Sequence, residues 1–280
     1  MCTSISNLAE LYRAQGRFAE AEPLYLRSLA ISEQQLGANH FSTAATLTNL
    51  AYLYQQLGRY TEAEPLCLQS LAIHAQHLGT THPFTLVSFT NLALLYKNQG
   101  RYAEVEPLFL RSLAISEQQF GSDHPDTAAN FNNLADLYRA QGRFAEAEPL
   151  FQRVLAIAEQ QLGAEHPDTA SSLTNLAILY QSQGCYTEAK SLYQRFLTIR
   201  EQQLGTDHPD VAISLNNLPK LHYDQRSYSK AEPLLKRAYM ILLQRLGEDH
   251  PDTQGVLQGY AILSQAIEQA AKTQNLEDED

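Results

Sequence analysis

The sequence predicts an all-α chain, a solenoid of stacked antiparallel helix pairs, and three observations predict it. The chain repeats itself every 42 residues: Asn7, Asn49, Asn91, Asn133, Asn175 and Asn217 stand in register, each followed by a leucine. Within each unit apolar residues fall at three- and four-residue steps, the period of a helix buried along one side. Two glycines punctuate the units, one at Gly16, Gly58, Gly100, Gly142 and Gly184, another at Gly37, Gly79, Gly121, Gly163, Gly205 and Gly247. Each unit therefore reads as two helices. Neither can bury its stripe alone, so neighbouring pairs must stack.

The fourth unit shows the elements in order. Helix A runs from Pro125 towards Gly142, with Phe131, Leu134, Leu137 and Tyr138 on its apolar side. Pro125 suits a first helical turn, where its missing N–H has no partner to lose. Gly142 supplies the backbone freedom of the turn that follows. Helix B is expected from about Ala145 to Leu162, with Ala147, Leu150, Phe151, Val154, Leu155 and Ile157 facing inwards. Pro23, Pro65, Pro107, Pro149 and Pro233 fall inside helix B, so either it starts later than its pattern suggests or its first turn is loosened. The second reading is preferred.

The sixth unit departs from the others. Pro219 stands where earlier units have alanine, His222 where they have tyrosine, and Arg226 where they have the turn glycine. A further helix from Pro251 to about Lys272, with Gly259 in the asparagine position and Gln258, Gln265, Glu268 and Gln269 outermost, suits a solvating cap. The expected layout is a solenoid over 1–272, six helix pairs and a cap, with a disordered acidic tail over 273–280.

Composition narrows function. A net charge of −11 argues against the basic stripe that sequence-independent nucleic-acid binding requires. No run approaches the ~18 apolar residues of a membrane span, and the first sixteen residues lack a secretory pattern. Cys2, Cys67 and Cys185 have no metal or disulfide spacing, which fits a reducing, cytoplasmic compartment. The recurrent histidines, His40 to His250, lie two helices apart and cannot converge on one ion, so they are read as loop-to-helix backbone partners. No nucleophile triad or phosphate-binding loop stands apart from the repeat. The chain is expected to be no enzyme and to need no cofactor or metal.

By Leu134, Ala135, Tyr138, Gly142, Phe144 and Ala147 the unit resembles the tetratricopeptide pattern. The longer 42-residue stretch, Asn132 to Ala170, is similar to the repeats of kinesin light chains and their bacterial relatives. The resemblance implies a right-handed superhelix whose A helices line a concave groove. It also implies protein binding there, in kinesin light chains of acidic, tryptophan-containing cargo segments.

On that groove face the framework is constant and its decoration varies. One position carries Glu10, Tyr52, Leu94, Asp136, Ile178 and Lys220; another carries Arg13, Gln55, Lys97, Arg139, Gln181 and Tyr223. Tyr52, Leu94 and Ile178 are apolar where solvent is expected, a mark of interaction surfaces. Asparagine is a mediocre helix former, so Asn49, Asn91, Asn133 and Asn175 either tie neighbouring repeats together or hold the backbone of a bound peptide. Arg17, Arg59, Arg101 and Arg143 are read as exposed turn charges. The expected function is a non-catalytic scaffold or adaptor holding a peptide segment of a partner, an acidic one with an apolar anchor. The alternative is a regulatory or sensor module for an enzyme on another chain.

Overall fold

A computed structural model describes the backbone of residues 2–277 and the side chains of residues 4–269. It divides into two compact units, residues 1–141 and 142–280. The first holds α1 (Cys2–Ala14), α2 (Phe18–Leu36), α3 (Phe41–Gln56), α4 (Tyr60–Leu78), α5 (Pro83–Asn98), α6 (Tyr102–Phe120) and α7 (Pro125–Ala140). The second holds α8 (Phe144–Leu162), α9 (Pro167–Ser182), α10 (Tyr186–Leu204), α11 (Pro209–Leu215), α12 (Asn217–Asp224), α13 (Tyr228–Leu246) and α14 (Pro251–Glu277). No strand occurs among the described residues.

The punctuation of the sequence sets the helix ends. After helix A, Gly58 takes φ +71°, and the Arg59 and Gly58 N–H groups return to the Tyr54 and Gln55 carbonyls at 2.8 and 3.1 Å. That crossed pair satisfies two carbonyls otherwise orphaned at a helix end. Between helix B and the next helix A the histidine is the N-cap. Nδ1 of His40, His82, His124, His166, His208 and His250 accepts from the N–H two residues on, at 3.1–3.2 Å. A threonine one turn later reaches back, as Thr85 Oγ1 does to the Gly79 carbonyl at 2.8 Å, and clamps the loop.

Helix B begins at Phe144, one residue earlier than expected, and runs unbroken through Pro149. Its first turn is held by two bonds to one carbonyl, from the Glu146 and Ala147 N–H groups to Arg143 at 3.2 and 3.1 Å. The proline removes only the bond to residue 145, and both Ala145 and Pro149 lie on the exposed side, where water can take the freed carbonyl.

Small residues let the helices approach: Ala9, Ala51, Ala93, Ala135 and Ala177 are at most 1% exposed. Around them the clusters interlock across repeats. In the first unit Leu29 of α2 packs on Ala44, Leu47 and Ile73, and Leu71 of α4 packs on Leu86, Phe89 and Ile115. In the second, Leu155 of α8 packs on Ala170, Leu173, Phe196 and Ile199. Each fully buried side chain of this size contributes ~1.5–3 kcal/mol.

The sixth repeat breaks. Its helix A is two pieces, α11 and α12, meeting at Asn216. Pro219 cannot donate to a carbonyl in the preceding turn, so the helix restarts and the proline becomes a first-turn residue of α12. The cap helix α14 buries Val256 and Leu263 and exposes Gln258, Gln265, Glu268 and Gln269. It runs to Glu277 rather than ending near Lys272, because no glycine or proline follows Gly259 and the stretch is rich in good helix formers. Five residues of the expected tail are thus helical, and 278–280 lie outside the described residues.

Candidate functional site

In the first unit the A helices α3, α5 and α7 carry Asn49, Asn91 and Asn133. All three are half-buried, and their side chains make no hydrogen bond among the described residues. The reading in which these amides tie neighbouring repeats finds no bond here. Asn49 also lines an apolar cavity of about 160 Å³ with Phe41, His74, Phe84 and Val87.

The charged residues of this face meet one another. Asp136 on α7 accepts from Lys97 Nζ on α5 and from Arg139 Nη2 at 2.5 Å. Burial alone would raise the Asp136 carboxyl; hydrogen bonds from Lys97 and Arg139, with their charges, hold it below its usual range. The two cations therefore share one anion, and the trio keeps one net positive charge.

A similar knot closes the other end. Arg13 bonds Glu10 and Gln56 at 3.0 Å, and its guanidinium lies 4.7 Å from the Tyr52 ring centroid. The Arg13 hydrogen bond, opposed by burial and aided by Tyr25, lowers the Glu10 carboxyl to about 2.

Of the three expected apolar footholds, Tyr52 is exposed, at 45%. Leu94 is half-buried, and Ile178 packs against the cluster of Ala177, Ala189, Tyr193, Leu218 and Leu221 in the second unit. Half-buried Asn175 is in that unit too, on α9.

Two of the arginines after the turn glycines, Arg59 and Arg101, are more than turn charges. Arg59 donates to both oxygens of Glu22 from the preceding repeat, at 2.8 and 2.9 Å, and grips Glu62 at 2.7 Å. Its guanidinium lies 4.2 Å from the Tyr54 ring, and the Tyr54 hydroxyl donates to Glu22 at 3.2 Å. Arg101, Glu64 and Tyr96 repeat this latch. Glu22, Glu64, Glu106 and Glu148 share the 42-residue register, a signal open to a search for partners as well as for single recurrent residues.

Comparison with known proteins accords with this architecture. The tetratricopeptide repeat family model matches residues 1–58, 42–118, 88–160, 126–184 and 168–244. A kinesin light chain-like protein of Podosopora anserina with nearly identical TPR-like repeats is 34% identical, with a TM-score of 0.64, over 72% of this chain and 95% of that one. BtubC (BKLC) from P. vanneervenii is 26% identical, with a TM-score of 0.65, over 89% of this chain and 92% of that one. A signal transduction ATPase with a tetratricopeptide repeat sensor, from Pyrococcus horikoshii, shares the fold alone at 17% identity and a TM-score of 0.66, over 94% of this chain and 38% of that one. A comparison with curated proteins gave no significant match. No described helix is long and apolar enough to cross a membrane. Repeats of this kind generally serve as non-catalytic scaffolds for protein–protein interaction. The chain belongs to the tetratricopeptide repeat family, with repeats of the kinesin light chain kind.

Proposed function

We propose that the chain is an adaptor whose A-helix face in the first unit holds an extended segment of a partner protein. The observation that carries this reading is the row of half-exposed amides on Asn49, Asn91 and Asn133, recurring at 42 residues and bonded to no described residue. An amide offers a donor and an acceptor together, which suits the backbone of an extended peptide. Tyr52 and Leu94 offer apolar contact beside it. The surplus charge of the Lys97, Asp136 and Arg139 trio favours an acidic segment with an apolar anchor. Asn175 and Ile178 on α9 hold the corresponding register positions in the second unit. Affinity in the micromolar range is expected, since ordering a flexible segment offsets much of the contact energy, and it should weaken with salt.

The test is a peptide-array screen followed by titration of the best binder. Asn91→Ala, Asn133→Ala, and Lys97→Ala combined with Arg139→Ala should each weaken it with helical content unchanged. Binding that survives all three would refute the reading. The sensor alternative rests on the fold shared with the Pyrococcus horikoshii ATPase sensor. It requires that a bound segment change the activity of an enzyme on another chain, measurable once a partner enzyme has co-purified.

A further inference from the structure

The latch that ties one repeat to the next lacks its central residue in the fifth repeat. In the third, the Arg101 guanidinium lies 3.9 Å from the Tyr96 ring centroid. It donates to Glu64 of the preceding repeat and to the Gln99 amide oxygen, both at 2.8 Å, and to the two oxygens of Glu104 at 2.6 and 2.7 Å. Two repeats further on, those four partners recur in register as Tyr180, Glu148, Gln183 and Glu188, while the arginine itself is Cys185.

Where the guanidinium would lie there is an open cleft of about 620 Å³, walled by these four residues and Phe144 and reached across the exposed Cys185. No basic residue is among its walls. Half-buried Glu148 takes neutral donors instead, the Tyr180 hydroxyl and Gln152 Nε2 at 3.0 Å and Gln183 Nε2 at 3.4 Å. Glu188 is exposed and makes no hydrogen bond or ion pair among the described residues. The cations nearest in sequence are engaged elsewhere: Arg143 grips Glu146 at 2.6 Å, and Lys190 exerts its charge on His222 in the next junction. Both carboxylates therefore keep their charge.

An acidic pair alone selects no ligand. Here the chain supplies the template, because Arg59 and Arg101 show what these positions hold when an arginine is present. Carboxylates set for a planar fork of donors, beside an aromatic face, suit a guanidinium better than the point charge of an ammonium. Exposed ion pairs are weak singly, so the site suits an arginine tethered in a larger interface rather than a free small molecule.

We infer that the fifth repeat takes from a partner protein the arginine it does not supply. The guanidinium enters over Cys185, rests against Tyr180 and pairs with Glu148 and Glu188. The site shares no residue with the face of α3, α5 and α7, and its ligand is opposite in charge to the segment proposed there, so the two readings stand or fall separately.

Chemical-shift titration of the nitrogen-15-labelled full chain tests this with a capped tripeptide, acetyl-Gly-Arg-Gly-amide, and its lysine counterpart. The arginine peptide should move the Gly184, Cys185 and Glu188 amides saturably, with a millimolar Kd. A chain of net charge −11 attracts any cation, which the lysine peptide controls for; it should bind about fivefold more weakly. Glu188→Gln, an exposed change, should weaken the arginine peptide about fivefold. Cys185→Arg should fill the cleft from within, abolish the shifts and raise the melting midpoint, since it completes the latch. Asn91→Ala with Asn133→Ala should leave Kd unchanged. The inference is overturned if these amides do not move, if the lysine peptide binds as tightly, or if Glu188→Gln and Cys185→Arg, both with native circular dichroism, bind as the parent does. Shifts confined to α3, α5 and α7 would place the peptide on the first unit's face and overturn it equally.

Discussion

The junction between the first two repeats and that between the last two use the same positions with opposite chemistry. At the first, Glu22 stands between the Tyr54 hydroxyl and the Arg59 guanidinium, and Gly58 turns the chain at φ +71°. At the second, Lys190 takes the glutamate position, His222 the tyrosine, Ser227 the arginine, and Arg226 the glycine, held at φ +55°. An anion accepting two donors has become a lysine facing a buried imidazole whose Nδ1 has no partner. The changes come as a set because the positions interact: once the carboxylate is gone, arginine and tyrosine have nothing to hold. What couples the last two repeats instead is the apolar cluster of Ala177, Ala189, Tyr193, Leu218 and Leu221, with the Arg237–Glu201 ion pair at 2.7 Å between α13 and α10.

The largest expected effect comes from moving the defective chemistry into the intact junction. Glu22→Lys reproduces the Lys190 arrangement while leaving Tyr54 and Arg59 in place, so the Tyr54 hydroxyl loses its acceptor and the Arg59 guanidinium, left with Glu62 alone, faces a cation. The melting midpoint should fall by about 5 °C, and amide exchange in α2 and α3 should quicken before that of α5 and α6. An unchanged midpoint would make the latch decorative.

The reverse experiment should give a smaller gain. Lys190→Glu with His222→Tyr restores the hydroxyl–carboxylate bond, worth about 1.5 kcal/mol at the low end for a charged acceptor. Either change alone should give less than half of it, a coupling that a double-mutant cycle in urea would reveal. Additive effects would show that the two positions do not meet. Smaller still is Arg226→Gly. A left-handed backbone costs an L-residue ~1–2 kcal/mol, and glycine's extra freedom when unfolded returns part of it. A net stabilisation of about 0.5–1 kcal/mol should appear in the urea midpoint at constant m-value. Destabilisation would mean that the Arg226 side chain holds something its backbone strain conceals.

Nearly the whole fold was legible in the sequence because it is written in spacing. The recurrent glycines and histidine–proline pairs fix where helices end, and the alanines fix where they touch. Internal prolines such as Pro149 were harder, since their tolerance depends on the freed carbonyl facing water. The face of α3, α5 and α7 was legible as positions but not as contacts. Lys97 and Arg139 stand in the sequence as two members of one variable position, yet Asp136, from the other, lies between them. Such pairing depends on the angle between adjacent repeats, which no periodicity reports.

The smallest effect concerns pH, and it too divides the two regions. His74 on α4 is 6% exposed, with Nδ1 2.8 Å from the Ser88 hydroxyl, and burial, with a smaller push from His82, lowers its pKa. His222 is 5% exposed, and burial, then Lys190, lowers its pKa. A group depressed on folding contributes stability that is fully present above its unfolded value, near 6.5 for histidine. That stability is lost as pH falls from there towards the folded value, because the unfolded chain takes up the proton first. Each site can add a slope of at most about 1.4 kcal/mol per pH unit. The depressed carboxylates, Asp136 and Glu10, act on the same side of neutrality but lower, once pH falls below the ordinary carboxylate range. Urea midpoints should therefore decline between pH 7 and 5. They should decline less steeply in the Lys190→Glu, His222→Tyr variant, which keeps His74 and lacks the other buried imidazole. Parallel declines in the two proteins would show that His222 takes up its proton at the same pH folded as unfolded, so that burial and Lys190 do not depress it.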